Sequence, residues 1–247
     1  MEWITGRNPS IEVLRARRRQ VFRLWLAKGV EQTPRLRELL ALAEARKVRV
    51  EPVARQMLER INESHQGVAL EVSSYPYAAL QDIEAEATRR GEPSFILALD
   101  ALQNPQNLGV LLRSADAFGI HGVLMPLARA AGITPAVVQA SAGASEHLLV
   151  AAVNLAQALT HLKEDGAWVI GLDGGERSQP LEQVRLDGAL VLVVGNEGEG
   201  MRALIRKSCD HLVRLPMRGQ VESLNAAVAG SIALYLVRQS REVTRGK

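Results

Sequence analysis

Leu190-Val191-Leu192-Val193-Val194-Gly195-Asn196-Glu197-Gly198-Glu199-Gly200 is the stretch on which the reading of this chain turns. Its first five residues are apolar with no polar alternation, which predicts a strand buried on both faces. A loop with three glycines follows directly, and glycine lets backbone approach a ligand closely. No Lys-Ser/Thr follows, so this is not a Walker phosphate loop. The glycine spacing is also wrong for a dinucleotide fingerprint. Open α/β sheets bind ligands beyond the carboxyl ends of their strands. A polar, glycine-rich loop in that place points to an enzyme built from loops at strand ends.

Apolar runs on either side fit the same sheet. Strands are predicted at 95–99, 121–125, 167–171 and, weakly, 211–214. Helices are predicted near 107–118, 154–164 and 223–238. Apolar strands alternating with helices predict a mostly parallel sheet covered on both faces. Earlier in the chain, Asn8-Pro9-Ser10 reads as a helix start and 21–26 as a strand. Pro34 opens a helix, and short strands follow at 48–50 and 67–72. We read 1–75 as a small α/β domain and 76–92 as a charged, helix-prone linker ending in Arg90-Gly91-Glu92-Pro93. The second domain is then 93–247.

The 247 residues are 47% hydrophobic and 23% charged, ordinary for a globular chain. No apolar run is long enough to span a bilayer, and Met1-Glu2-Trp3-Ile4-Thr5 shows no basic-then-apolar signal pattern, so no secretory leader is expected. Cys209 is the only cysteine, so no intrachain disulfide is possible and a cytoplasmic location is expected. Cys209 reads as a small residue packed near a helix end. The five histidines show no metal-ligand spacing, and no metal is expected. The net charge of +3 is uneven: residues 1–60 hold 14 Lys and Arg against 7 Asp and Glu, the rest 16 against 20. A basic segment on a mildly acidic body suggests a polyanion-binding module. Its densest cluster is Arg15, Arg17, Arg18 and Arg19, which also fits a solvated helix face.

Two further segments carry chemistry. In Asp100-Ala101-Leu102-Gln103-Asn104-Pro105-Gln106-Asn107-Leu108-Gly109-Val110-Leu111-Leu112-Arg113 a strand ends and a helix begins, with Asn107 as a possible cap. Arg113 then lies on the first two turns, unless it only pairs with Asp116. In Leu215-Pro216-Met217-Arg218-Gly219-Gln220-Val221-Glu222-Ser223-Leu224-Asn225, proline and glycine make the backbone irregular before the last helix, which Ser223 or Asn225 would cap.

In order and spacing these three segments resemble the signature motifs of the SpoU/TrmH-type ribose 2′-O-methyltransferases of the SPOUT superfamily. Val138-Gln139-Ala140-Ser141-Ala142-Gly143-Ala144-Ser145-Glu146 is similar to the Ser-Ala-Gly-Ala-x-Glu segment of that group. Ile4-Thr5-Gly6-Arg7-Asn8-Pro9-Ser10 resembles the start of the RNA-binding domain of RlmB-like members. Asn104-Pro105 departs from the Asp-Pro of many members and is expected to change only a turn contact.

The resemblance implies a C-terminal trefoil knot, which connection rules alone argue against, and a small L30e-like RNA-binding domain. It implies S-adenosylmethionine as cofactor and a homodimer that completes the site across its interface. Backbone of Gly195, Leu215 and Leu224 would hold the adenosine, with Asn196, Gly198, Pro216, Met217, Ser223 and Asn225 around it. Arg113 would activate the 2′-hydroxyl, and Asn107, Glu197 and Asn225 would orient it. Arg7 and the Arg15, Arg17, Arg18 and Arg19 cluster would hold RNA. Ribosomal RNA, at a guanosine of 23S, is the expected substrate, and no DNA or membrane partner is expected. Transfer RNA is the alternative substrate, and a non-catalytic RNA-binding protein is the alternative from another class.

Overall fold

A computed structural model describes residues 1–127, 132–175, 178–220 and 223–245. The chain forms two compact units. One comprises Met1–Pro76 with Gly132–His147, the other Tyr77–Ala131 with Leu148–Lys247.

In the first unit, β1 (Glu2–Thr5), β2 (Val21–Ala27), β3 (Arg49–Val53) and β4 (Val68–Val72) form a sheet in the order β1-β4-β2-β3. The pairs with β4 are antiparallel, and β2 pairs with β3 in parallel. Helices α1 (Arg7–Ala16), α2 (Pro34–Ala45) and α3 (Arg55–Glu59) connect the strands. Pro34 occupies the first turn of α2, and Thr33 accepts a hydrogen bond from Leu36 N, the arrangement expected at a helix start. The segment 132–147 completes this unit. Its helix α6 (Pro135–Ala140) packs on β1, and Glu146 is buried against Arg19.

The second unit holds α4 (Leu80–Arg90), β5 (Phe95–Leu99), α5 (Pro105–Ala117), β6 (Gly122–Pro126), β7 (Val150–Val153), α7 (Leu155–Glu164) and β8 (Trp168–Leu172). It continues through β9 (Gln179–Pro180), β10 (Leu190–Val194), α8 (Ala203–Ser208), β11 (His211–Arg214) and α9 (Ala226–Arg245). The sheet order is β7-β6-β5-β10-β8-β11-β9, and every pairing is parallel. Both β5 and β10 are buried along their whole length, as their unbroken apolar runs predict. The late strand β10 is inserted between β5 and β8. The chain lays β6 and β7 on one side of β5 and its later strands on the other, so β5 and β10 flank the point where strand order reverses.

Residues 76–92, expected to link two domains, contain α4, which packs into the second unit. A Cβ on Gly122 would lie 2.5 Å from Ile83, so helix and strand touch there through glycine alone. The strand β7 and helix α8 were not anticipated. Helix α5 begins at Pro105, two residues before the expected start, and α9 runs from Ala226 to Arg245 instead of 223–238. Among the described residues, no helix is long and apolar enough to cross a membrane.

Candidate active site

Parallel register puts the carboxyl ends of the central strands in one row. Val194 is level with Leu99 on one side and Leu172 on the other, and Leu172 is level with Val213. Loops starting at Asp100, Gly195, Asp173 and Leu215 therefore leave the sheet at one edge, beside the strand-order reversal. This is where an open α/β sheet offers a crevice.

The Gly195–Gly200 loop folds back on itself. Asn196 and Gly200 exchange backbone hydrogen bonds at 3.0 and 3.1 Å. A Cβ on Gly195 would lie 2.3 Å from the Gly200 carbonyl carbon and 2.4 Å from Met201 N, so only glycine fits. The Asn196 amide is spent on holding the loop. Its Nδ2 donates to the Ala101 carbonyl at 3.0 Å, and its Oδ1 accepts from Gly198 N at 2.9 Å. Glu197 is left at the exposed tip.

Three segments meet through side chains. Asn107 Nδ2 donates to Glu197 Oε1 at 2.5 Å, and Asn225 Nδ2 donates to Asn107 Oδ1 at 3.2 Å. Asn225 also caps α9, its Oδ1 accepting from Ala227 N and Val228 N at 2.9 and 3.2 Å. Asn107 is not the cap of α5. That role falls to Asn104, whose Oδ1 accepts from Gln106 N at 2.8 Å with Pro105 in the first turn. The Asn104-Pro105 departure thus keeps the acceptor oxygen an aspartate would provide. Freed from capping, Asn107 points its amide across the crevice.

Arg113 is exposed and makes no hydrogen bond or ion pair among the described residues. It lies six residues beyond Asn107, about 9 Å along the helix axis, and does not join the Glu197–Asn107–Asn225 chain. It shares an exposed strip of α5 and α9 with Val110, Val228, Ile232 and Tyr235. Ser114 and Ser231, bonded at 2.7 Å, hold the two helices together.

Leu215, Pro216 and Met217 follow β11, and Ser223 and Leu224 precede the α9 cap. Met217 and Leu224 expose apolar side chains at this edge. The backbone of 215–220 and 223–224 makes no hydrogen bond among the described residues. Amide and carbonyl groups without a partner among the described residues, beside exposed apolar side chains, suit a ligand with an aromatic ring and hydrogen-bonding edges. Val221 and Glu222 of this segment lie outside the described residues. Two residues not singled out from the sequence, Asp100 and Asp173, end β5 and β8 on either side of Gly195. Only the sheet order shows that they flank it.

The basic cluster of the first unit divides. Arg19, expected to hold RNA, is buried. It pairs with Glu146 at 2.9 Å and Glu2 at 2.6 Å and lies over the Tyr75 ring. Arg18 donates to Tyr75, the Glu146 carbonyl and the Pro76 carbonyl. Arg7 is bound to Gln66, Thr33 and the Glu31 carbonyl. Arg15 pairs with Glu12 and Glu38 but stays exposed. Arg17, exposed in the left-handed region, has no partner among the described residues. Arg19 is therefore a core residue, because its charge is already neutralised inside the fold. Its partners Glu146 and Glu2 are separated from it by 127 and 17 positions, so local sequence could not reveal them.

Elsewhere in the second unit, His161 lies 3.0 Å from Glu84 and 3.4 Å from Asp165 on an exposed surface. Cys209 packs against Gly171 at the end of α8, and burial pushes its thiol up to about 12, which leaves it a packing residue.

Comparison with known proteins places this geometry. Residues 94–235 match the SpoU rRNA Methylase family, and residues 3–78 match the RNA 2′-O ribose methyltransferase substrate binding family. YacO of Bacillus subtilis, assigned to the TrmH family tRNA/rRNA methyltransferases, is 40% identical over 97% of this chain and 96% of its own. The SpoU methyltransferase AviRb from Streptomyces viridochromogenes, solved with its cofactor AdoMet, superposes with a TM-score of 0.79. It is 26% identical, over 97% of this chain and 90% of that one. The A. aeolicus TrmH/SpoU tRNA modifying enzyme, also 26% identical, covers 66% of this chain and 86% of its own, with a TM-score of 0.56.

Proposed function

Since the chain belongs to the SpoU rRNA methylase family and is an RNA methyltransferase of the SpoU/TrmH type, we propose that it methylates a ribose 2′-hydroxyl of ribosomal RNA. The donor is S-adenosylmethionine and the target a guanosine of the large-subunit RNA. The observation that carries this reading is the hydrogen-bonded chain Glu197–Asn107–Asn225, which ties the Gly195–Gly200 loop to the starts of α5 and α9 at the carboxyl edge of a parallel sheet.

The residues at that edge fit the donor. The backbone of 215–220 and 223–224, unbonded among the described residues, offers donors and acceptors for an adenine edge and ribose. Leu215, Met217 and Leu224 offer apolar contact, with Pro216 and Ser223 between them. Gly195, Asn196 and Gly198 wall the other side. When bound, S-adenosylmethionine supplies an electrophilic methyl group on a sulfonium. Glu197 Oε2 is the carboxylate oxygen not engaged by Asn107, and it accepts a hydrogen bond from the ribose 2′-hydroxyl, aiming the oxygen lone pair. Asn107 and Asn225 fix that carboxylate in place.

Arg113 polarises the hydroxyl and stabilises the developing alkoxide. A guanidinium that stays protonated is a poor base, so an RNA phosphate oxygen takes the 2′-hydroxyl proton that methyl transfer releases. Because Arg113 stands apart from Glu197 within one chain, a second copy brings it to the site. The exposed apolar strip of α5 and α9 supports such a dimer, since patches of this kind mark interfaces. The insertion of β10 between β5 and β8 fits a threaded, knotted C-terminus.

The substrate preference rests on the first unit. It matches a substrate-binding family, and the tRNA modifying enzyme relates to only two thirds of this chain. Arg17 and Arg15 hold RNA phosphates there. Transfer of labelled methyl from S-adenosylmethionine into large-subunit RNA and into transfer RNA tests the reading, with wild type and Arg113→Ala. Label is expected in alkali-resistant linkages of the ribosomal RNA, and Arg113→Ala is expected to bind the donor yet lose most turnover. Labelling of transfer RNA alone, or of base carbons and nitrogens, would overturn it.

A further inference from the structure

Asp100 and Asp173 close the two strands that flank β10, so Gly195 leaves the sheet between two carboxylates. The chain that returns from the Gly195–Gly200 loop carries Arg202 and Arg206, one helical turn apart at the start of α8, and each meets one of these aspartates. Asp100 has no exposed side-chain surface. It accepts from Arg202 N at 2.7 Å and Arg202 Nε at 2.7 Å, and a second guanidinium nitrogen lies 2.6 Å away. Arg206 pairs with Asp173 Oδ2 at 2.7 Å, an ion pair without good hydrogen-bond alignment. Gly175 gives the Arg206 side chain room, since a Cβ there would stand 3.2 Å from its guanidinium.

We infer that Arg202 and Arg206 form a two-point clasp on Asp100 and Asp173 that holds the Gly195–Gly200 loop in its donor-binding shape. The four are positioning residues for the proposed reaction, and the inference rests on that reading. Asn196 and Glu197 reach across the crevice only while the loop is folded back. Apart from the Asn107 bond to Glu197, the loop is fastened by one pair of backbone bonds and the Asn196 side chain. Charged pairs from its returning foot to the strands on either side of β10 supply the rest, and the Asp100 pair is the stronger because that carboxylate is fully buried and also accepts from the Arg202 backbone amide. Preorganisation of this kind lowers the cost of binding, so its loss shows in donor affinity before it shows in the chemical step.

Full-length Arg202→Met, Arg206→Met, Arg202→Lys and Asp100→Asn are compared with wild type in two measurements. The first is S-adenosylmethionine binding by calorimetry, with KM and kcat on large-subunit RNA. The second is amide hydrogen exchange of the 195–202 peptide without donor. Arg202→Met is expected to raise Kd and KM for the donor roughly tenfold, with kcat at saturation within about twofold. Exchange of the 195–202 peptide should rise with it while core strands stay protected. Arg206→Met should follow with a smaller effect, and Arg202→Lys should recover part of the loss. Asp100→Asn should exceed Arg202→Met, because it also weakens the bond to the backbone amide. Unchanged exchange and affinity in Arg202→Met, or a fall in kcat with KM unmoved, would overturn the clasp. If wild type binds no S-adenosylmethionine, the functional reading falls, and the exchange measurement alone decides whether the loop is clasped.

Discussion

Asn225 donates its amide to Asn107 across 3.2 Å, joining the cap of the last helix to the first helix after β5 over a separation of 118 residues. Asn107 spends its own amide on Glu197, so one side chain sits between two partners. Replacing it leaves Glu197 free to rotate and Asn225 with an unmade bond. Asn107→Ala is expected to lower kcat about a hundredfold, the scale of losing a positioned reacting group. Asn107→Asp should be worse, since a carboxylate would face Glu197. Steady-state methyl transfer checks both, and an Asn107→Asp enzyme as active as wild type would remove the chain of bonds from the mechanism.

Two glycines of the same loop should behave in opposite ways. At Gly195 a methyl group would strike backbone atoms of Gly200 and Met201, which cannot move without opening the loop. At Gly198 a Cβ meets nothing nearer than Asn196 Oδ1 at 3.8 Å, and the backbone is not left-handed. Gly195→Ala is expected to weaken donor binding by roughly tenfold or more. Gly198→Ala, which adds a methyl to the donor wall without a backbone clash, should weaken it less. Binding titrations of the two variants side by side give the comparison.

Much of the second unit was legible in sequence because burial there writes itself locally. The runs 95–99 and 190–194 are apolar without alternation and became the two central strands. The start of α5 was misplaced because Asn107 and Asn104 are both good caps, and Pro105 decided between them. Strand order was not legible, so the flanking of Gly195 by Asp100 and Asp173 stayed hidden. The division of the arginine cluster stayed hidden too. Arg17 and Arg19 look alike in sequence, and only the fold commits Arg19 to Glu146. The quoted Ser141–Glu146 segment matched a family motif, yet its role in the first unit depends on a partner 127 residues away.

That division makes a testable contrast. Arg19→Met would leave the Glu146 carboxylate buried beside Arg18 alone, and removing one partner of a buried pair costs about 3–5 kcal/mol. The double variant Arg19→Met, Glu146→Leu should recover part of the loss, because the buried carboxylate is gone and Glu2, which also loses Arg19, is partly open to water. Arg17→Ala should leave the melting temperature unchanged, weaken RNA binding and reduce its salt dependence by about one unit of slope. Thermal melts and filter binding across a salt series separate the two kinds of arginine. An Arg19→Met protein of wild-type stability would contradict the core assignment.

The buried histidine His121 sets an expected pH dependence. Its Nδ1 accepts from Phe95 N at 2.8 Å, which puts the ring proton of the neutral form on Nε2. Burial first, then the nearby Arg90, hold its pKa below the ordinary histidine value, and Glu92 opposes them only in part. A group depressed in the folded state binds its proton more readily when unfolded. Its contribution is therefore complete above the unfolded pKa near 6.5 and is lost as pH falls below that value towards the folded one. His65, depressed chiefly by burial in the first unit, acts in the same direction. The melting temperature is expected to fall by a few degrees between pH 7.5 and 5.5. In His121→Gln, which keeps an acceptor for Phe95 N and does not titrate, the fall should be smaller. An equal slope in wild type and variant would assign the pH dependence to other groups.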